Sequence, residues 1–307
     1  VGVNVSVVNY DNNAYISTGS GTINAGGLDV SAKTATASSS AIAKAGFTAA
    51  DLGLAGALTV HVATAENNAK ITGDGEIVLK DGADLKLAAT IAMANYVTAA
   101  DAGGIAAADS AASKAPAAPA KTPAASGSAG TVNKQGSSSD SVGVGAGIAV
   151  GVIGVDSIAD IADTVTISMA DENGNLGKTD IKASFNGYET VFTKAGASGG
   201  TAVVPVLALD VSGVNVEADS GTNLNHTLKF AGDVNVSAAN SMIRKITADA
   251  AAAGTGVGVG GTFIIDVLND GAHANLGRNV TSGGKVTVKA NSTSRLTATG
   301  KASATGA

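Results

Sequence analysis

The chain has 307 residues and a net charge of −6, with 45% hydrophobic, 14% charged and 3% aromatic residues, 41 Gly and no Cys or Trp. Ordinary soluble domains carry about 25% charged residues, whereas disordered chains are usually charged and poor in aliphatic residues. The lack of Cys excludes disulfides and thiolate chemistry, and no basic run points to nucleic acid. Because Ala and Val fill little space, we expect thin stacked layers of strand rather than a broad interior.

Five segments of the chain share one plan. Each has an apolar strand, a step with Asn or Asp, a Gly-containing turn and an aliphatic–x–aliphatic strand. The first two begin VGVNVSVVNYDNNAYI and LGLAGALTVHVATAENNAKI, and residues 12–16 (NNAYI) align with residues 67–71 (NNAKI) at an offset of 55. Repeats of this length are typical of solenoids, in which neighbouring repeats bury one another.

An insertion interrupts the repeats. The next aliphatic match after Ile71 is Ile161, an offset of 90 that exceeds the 55-residue period by 35. Residues 103–141 carry three of the four prolines, namely Pro116, Pro119 and Pro123, and show no strand pattern. We therefore predict repeats 1–2 over residues 1–102, a flexible Pro/Ala/Ser/Gly-rich insertion over 103–141, and repeats 3–5 over 142–307.

The later repeats align less clearly. Matching Ile161, Val216 and Leu276 gives offsets of 55 and 60 for the third, fourth and fifth copies. Both ends of the chain fall within strand patterns, VGVNVSV and TATGKASATGA, without polar caps. Since exposed strand edges template further pairing, we expect that the chain is cut from a longer array or that copies join end to end.

Strict alternation assigns the two faces of the strands. In the third copy Val142, Val144 and Ile148 share a face opposite Gly143 and Gly145. The uncharged run 142–155 has 14 residues, fewer than the roughly 20 of a membrane-spanning helix, and its Gly content disfavours helix. We predict a strand there and no membrane span. A short helix is allowed only near 101–113 or 248–253.

The repeat pattern resembles one known family. The segments VVNYDNNAYI with LDVSAKT, AENNAKI with LKLAAT, and LNDGAHANL with VTVKANS resemble repeats of the large filamentous adhesins of Gram-negative-type bacteria. These include the leukotoxin-like filamentous adhesins and, more distantly, the filamentous haemagglutinins. The resemblance covers nearly all of the chain outside the insertion. It implies a right-handed parallel β-helix, export by type V secretion and a role in surface attachment, with no catalytic motif. We thus predict an all-β parallel β-helix, or β-solenoid, of about five repeats.

Candidate sites are few, and we predict no catalytic, cofactor-binding or metal-binding residue. The three histidines are scattered without partners, so isolated surface or turn positions are favoured over a zinc site. Turns 72–76 and 171–175 are rich in oxygen ligands but match no calcium loop, which leaves calcium a minor alternative. The recurring Asn residues favour a structural corner over a ligand ladder. The residues concerned are His61, His226 and His273, and Asn12, Asn13, Asn67 and Asn68.

Three functions remain open from the sequence. The favoured one is a non-catalytic shaft segment of a large surface or secreted bacterial adhesin. The alternatives are an extracellular filament subunit joined end to end by strand pairing, and a β-helix enzyme acting on polysaccharide. The enzyme is disfavoured because acidic residues are expected mostly in turns and only three arginines occur, Arg244, Arg278 and Arg295. Expected partners are neighbouring repeats, other copies, or a host or abiotic surface, with exposed contacts from Tyr10, Tyr15, Tyr96 and Tyr188.

Overall fold

The computed structural model describes residues 1–49, 51–106, 141–171, 173–225 and 227–306, and every regular element in these ranges is a β-strand. The strands are β1 (Gly2–Ser17), β2 (Thr22–Ala25), β3 (Leu28–Ala49), β4 (Leu52–Thr72), β5 (Glu76–Leu79), β6 (Leu85–Ala106), β7 (Val142–Ile161), β8 (Thr166–Met169), β9 (Thr179–Asp219), β10 (Thr227–Phe230), β11 (Val234–Asn275), β12 (Asn279–Ser282) and β13 (Val286–Thr305). Every strand pairing is parallel, which confirms the predicted β-solenoid.

Each of the five coils consists of a long strand, a short strand and a second long strand. The front sheet contains β1, β4, β7 and the second halves of β9 and β11. The back sheet contains β3, β6, the first halves of β9 and β11, and β13. The short strands close one end of the coil, and at the opposite end, the tip, the back strand of one coil leads into the front strand of the next. At the tip β9 and β11 continue from one sheet to the other.

The register confirms most of the predicted alignment and corrects one part. Asn12 pairs with Asn67, and Ile71 pairs with Ile161, as the offsets of 55 and 90 predict. The matches of Val216 to Ile161 and to Leu276 are both wrong, because Val216 pairs with Ser157 and with Ala272. Asp160 pairs with Asp219, so Ile161 corresponds to Ser220, an offset of 59. A serine at a position that is aliphatic in the earlier coils hid this alignment in the sequence.

The spacing between front and back sheets is set by small residues at the tip. A Cβ atom added at Gly143 or Gly145 would lie 2.2 Å from the Ser198 carbonyl oxygen or 2.3 Å from that of Gly196. Towards the short strands the sheets diverge, and the interior is filled by Ile71, Ile161, Phe185 and other large side chains. The interior therefore tapers from a wide aliphatic core, through Ala, to Gly at the tip.

The helices allowed by the sequence are wrong for the described residues. Residues 101–106 belong to β6 and residues 248–253 to β11. In the second segment Ala248, Ala250 and Ala252 alternate into the interior, each at most 3% exposed, because only small side chains fit between the sheets there. Most of the predicted insertion, 103–141, lies outside the described residues, which stop at Ala106 and resume at Ser141.

The stack of short strands is interrupted between the third and fourth coils. Strands β2, β5 and β8 form one ladder, and β10 and β12 form another. Beside the break, the buried guanidinium of Arg278 donates hydrogen bonds to the carbonyl oxygens of Ser220, of Val165 at 2.9 Å and of Ala162 at 3.1 Å. One arginine of the fifth coil thus satisfies backbone acceptors of the third and fourth coils.

The close approach at the tip generates a test with paired glycines. We expect Gly145→Ala to destabilise the protein by about 1–3 kcal/mol, because the added methyl group meets backbone that cannot rotate away. Gly213 lies in the same sheet but faces outward, and a Cβ there meets nothing within 4 Å. Gly213→Ala should be neutral or stabilising by up to about 1 kcal/mol. Urea unfolding midpoints measure both, and equal effects would contradict the proposed sheet spacing.

Arg278 supplies a second test. Arg278→Met keeps much of the apolar stem but leaves three backbone carbonyl groups without their donor, so we expect a loss of about 2–4 kcal/mol in the free energy of unfolding. Exposed Arg295→Met is the matched control and should change it by less than about 0.5 kcal/mol. Thermal or urea unfolding measures the difference, and a loss no larger than the control's would show that the interrupted ladder does not need the arginine.

Candidate functional site

A polar layer crosses the interior between the wide aliphatic core and the Ala-rich core. It is formed by one inward position of each sheet, repeated in every coil. In the front sheet this position holds, in coil order, Ser6, His61, Gly151, Asp210 and Asp266. In the back sheet it holds Ser39, Tyr96, Glu189, Arg244 and Leu296. The strand register alone brings these residues together from distant parts of the chain.

In the second coil the layer is neutral. The His61 and Tyr96 rings stack with centroids 4.1 Å apart. His61 Nδ1 lies 3.1 Å from the Val97 carbonyl oxygen and Nε2 lies 2.7 Å from Ser39 Oγ, so the ring donates to the carbonyl and accepts from the hydroxyl. The Tyr96 hydroxyl contacts the carbonyl oxygens of His61 and Val152. Burial lowers the pKa of His61 and raises the pKa of Tyr96, which keeps both uncharged.

Two predictions about these side chains are corrected. His61 is not a surface or turn histidine, and Tyr96 is not an exposed contact, since both are 0% exposed. Of the other candidates, Tyr15 is exposed, Tyr10 and Tyr188 are half-buried, and His273 is exposed. His226 lies outside the described residues. His61 was missed because a lone histidine in an alternating strand gives no sign of its stacking partner 35 residues away.

In the third to fifth coils the layer is ionisable. Glu189 and Asp210 are both 0% exposed, and Gly151 leaves the space for the Glu189 carboxyl group, because a Cβ there would lie 2.9 Å from Oε1. Burial, followed by the neighbouring Asp210, raises the pKa of Glu189 well above its usual value. Burial also raises the pKa of Asp210 to about 6. Two carboxyl groups this close cannot both ionise cheaply, so the neighbouring Asp210 favours the protonated form of Glu189.

Arg244 provides the balancing charge. Its side chain is 1% exposed, and Nη1 lies 3.9 Å from Asp266 Oδ1. Nη2 donates to Ser294 Oγ at 2.9 Å. In a separate hydrogen bond, Ser212 Oγ donates to Asp270 Oδ1 at 3.2 Å. The expectation that acidic residues lie mostly in turns is wrong for this group. The sequence did carry a signal, because Asp210 and Asp266 occupy an inward position of the alternating runs LALDV and FIIDV.

This arrangement binds protons rather than substrate. A carboxyl pair next to an arginine is chemically similar to a glycosidase dyad, but these groups lie between packed sheets where a sugar cannot reach them. Among the described residues, no three His, Asp or Glu side chains are placed to hold a metal ion. The chemistry that the geometry allows is therefore a protonation equilibrium coupled to the packing of the sheets.

The recurring asparagines also have structural partners. Asn67 is buried in the middle of a strand, where its Nδ2 donates to the Thr90 carbonyl oxygen at 2.5 Å and its Oδ1 accepts from Thr34 at 2.9 Å. Asn68 donates to Asn13 Oδ1 at 2.9 Å. The structural interpretation fits these contacts, although the predicted corner is wrong because residues 67 and 68 lie within β4.

The two oxygen-rich turns use backbone contacts. In the first, the amides of Asp74 and Glu76 donate to the carbonyl oxygens of Gly19 and Gly21 in the coil below. In the second, Asp171 Oδ1 accepts from the Asn173 amide at 2.9 Å, while residue 172 lies outside the described residues. These turn hydrogen bonds agree with the favoured interpretation of the two turns, in which turn chemistry explains the Asp, Asn and Gly residues and calcium is the minor alternative.

An acidic surface lies on the outer side of the front sheet near the short strands. It contains Asp160, Glu217 and Asp219, with Lys70 beside them, and Asn275 donates to Asp219 at 3.1 Å. Partial burial, followed by the charge of Asp219, raises the pKa of Asp160 to about 6. This surface makes one half of the outer face of the front sheet hydrophilic.

The buried carboxyl pair generates a pH prediction. Because the folded pKa of Glu189 is raised, its stabilising protonated state is fully kept below about pH 4, the unfolded pKa, and lost as pH rises through the folded value. We expect Glu189→Gln to match the wild type in melting temperature near pH 4 and to exceed it above pH 7. Scanning calorimetry across this range measures the crossover.

Asp160→Asn is the control, since Asp160 also titrates near pH 6 but is only half-buried. Added salt should weaken the contribution of Asp160 to the pH dependence of the melting temperature, because this group is partly exposed. The contribution of buried Glu189 should stay unchanged. Parallel melting curves of wild type and Glu189→Gln at all pH values would contradict a protonated buried pair.

Comparison of the chain with protein-family models, with curated proteins and with solved structures gives no match. Among the described residues no helix is long and apolar enough to cross a membrane.

Proposed function

We propose that the chain is a non-catalytic shaft segment of a large bacterial surface or secreted adhesin, which holds a binding region away from the cell. The observation that carries this proposal is the stack of five coils joined by parallel pairing, in which β1 and β13 each pair with one neighbouring strand among the described residues and keep one open edge. Each coil contacts mainly the coils next to it, so coils add length without changing the packing already formed. One coil adds about 4.8 Å along the stack.

The polar layer supports the same function. Its hydrogen bonds join residues from different coils, such as Ser39 with His61 at 2.7 Å and Tyr96 with Val152 at 3.0 Å. A buried polar group has few alternative partners, so it would lose its hydrogen bonds if one coil shifted against the next. The layer thus favours one register along the shaft, which suits a segment that transmits length and direction.

A second function is favoured by the open ends. In the first coil the core positions Ile16 and Ala14 are only half-buried, and in the fifth coil Leu296 is 42% exposed at the polar layer. Parallel strand edges with uncovered core beside them can pair with the opposite end of another copy. The alternative is therefore an extracellular filament subunit joined end to end by strand pairing.

Surface labelling tests the shaft proposal. Antibodies raised against the purified chain should label intact, unpermeabilised cells of the organism that encodes it, because a shaft lies outside the membrane. An antibody against a cytoplasmic protein is the control for cell integrity. Labelling that appears only after lysis would overturn the proposal for both the shaft and the extracellular filament.

Electron microscopy separates the two functions. A filament subunit should form fibres whose length grows with protein concentration, because each end pairs with the opposite end of another copy. A shaft segment should give particles of one length. A change of Val288→Pro in the terminal strand β13 removes a ladder donor, and it should abolish fibres if β13 pairs with another copy. Fibres that persist in this variant would contradict strand pairing at this end.

A further inference from the structure

The tip half of the front sheet carries an apolar outer face. In all five coils the outward residues are aliphatic, small or aromatic, and the register aligns them in columns such as Leu58, Ile148, Leu207 and Phe263. We call this set the apolar face: Val1, Val3, Val5, Val7, Leu52, Leu54, Gly56, Leu58, Val60, Val62, Val142, Val144, Ala146, Ile148, Val150, Val152, Thr201, Val203, Pro205, Leu207, Leu209, Val211, Val257, Val259, Gly261, Phe263, Ile265 and Val267. No side chain of the apolar face is charged.

The two outer faces of the solenoid differ sharply. The outer side of the back sheet carries charged residues in every coil, for example Lys33, Lys86, Lys182, Asp249 and Lys301. The apolar face instead exposes 66% of Phe263 and 65% of Val5. Inward packing does not require this pattern, because the interior positions of the same strands hold mostly Gly and Ala, with Val204 and Val206 as larger exceptions. Most of the large side chains of these strands point away from the core.

Such a face is unusual for a parallel sheet. Parallel sheets are almost always covered on both faces, and contiguous apolar patches above a few hundred Å² mark interaction surfaces. The strands lie about 4.8 Å apart and rise about 3.3 Å per residue; four of them contribute about 11 residues and the first about 7, which makes a face of roughly 800 Å². Two such faces would bury roughly 1,600 Å², the size of a stable protein–protein interface.

We propose that the apolar face binds the apolar face of a second copy of this chain, sheet against sheet. The surface lacks charge and has an area that matches one half of a standard interface, so its best complement is the same face of a second copy. It also contains a depression of about 120 Å³ lined by Ala146, Pro205 and Phe263 among others. The aromatic ring of Phe263 thus borders a hollow in the face, which suits self-complementary packing.

A two-fold axis through the centre of the apolar face explains its limits. The acidic surface with Asp160, Glu217 and Asp219 occupies the other half of the same sheet. A two-fold axis that lies in the plane between the two faces, parallel to the stack of coils, reverses the strand direction of the partner, so each acidic half extends beyond the tip of the other copy. The like charges then stay in water and apart. This lateral contact uses a different surface from the end-to-end pairing of β1 and β13.

Paired lysine substitutions test the proposal on the whole chain. Val60→Lys with Leu207→Lys places two charges on the apolar face, in the second and fourth coils. Ala92→Lys with Ala239→Lys adds the same charge, in the same coils, to the outer side of the back sheet. In sedimentation equilibrium the wild type and the back-sheet variant should be dimers. The face variant should dissociate at least about 100-fold more readily, because each buried ammonium group loses water without gaining a partner.

Two further measurements keep the test decisive. If circular dichroism shows that the face variant does not fold, Val60→Thr with Val150→Thr and Val152→Thr keeps the branched shape and should still weaken the dimer at least about tenfold, since a hydroxyl replaces a methyl group in a dry interface. Small-angle X-ray scattering should show a dimer about 20 Å thicker than the monomer, because packed sheets lie about 10 Å apart.

Several outcomes would overturn the proposal. One is a wild type that stays monomeric up to about 100 μM, well above the dissociation constants of standard interfaces. Another is association that both lysine variants weaken equally, or a particle that lengthens without thickening, which indicates end-to-end stacking. Co-sedimentation of a monomer with neutral phosphatidylcholine vesicles, lost in the face variant alone, would assign the face to lipid.

Discussion

The distance between the front and back sheets is the constraint on which the structure depends. At the tip it is so short that backbone atoms occupy the place of a Cβ at Gly143 and Gly145. Small inward residues permit that distance, and the short strands hold the sheets apart at the other end, where Ile71 and Phe185 fill the interior. The composition of the chain follows from this taper. Much of the Gly and Ala is interior, and a large part of the Val and Leu is not.

The polar layer lies where the taper passes from large side chains to small ones. A carboxyl or guanidinium group there is covered by both sheets and can meet only groups from the facing strand or the adjacent coils. Its energetics are therefore those of a buried network, in which satisfied groups fix one arrangement and an unpaired group is costly. Neutral His61 and Tyr96 and the protonated Glu189 are three ways of placing polar atoms there with little net charge.

The sequence predicted the parts of the fold that repeat. The match of residues 12–16 to 67–71 set the register of the first two coils, and the offset from Ile71 to Ile161 carried it across the insertion. It failed at Ser220, where the aliphatic residue of the pattern is absent and Arg278 supplies contacts instead. The Ala run at 248–253 suggested a helix because Ala favours helices. In the structure these residues are small because the facing sheet lies close, and the local sequence does not show that sheet.

The candidate site was less predictable for a related reason. Alternation showed which side chains share a face, but it could not show which of the two faces is the interior when one carries Val and the other Gly. It also could not show that Glu189 and Arg244, 55 residues apart, become neighbours of Asp210. Such pairings depend on the register across two sheets, which is determined by the number of residues in the turns and connections between strands. No local pattern near Glu189 marks it as different from a surface acid.

The tip has a consequence for how such a protein can change. The chain passes from one coil to the next there through very short connections, as at Gly199, and between Ala106 and Ser141 through 34 residues, yet the coils on either side pair in the same manner. The strand ladders on both sides of the connection form without it, so the length of the connection does not affect how the coils stack. Insertions at tips can therefore diversify the margin of the protein while the ordered stack of coils is inherited unchanged.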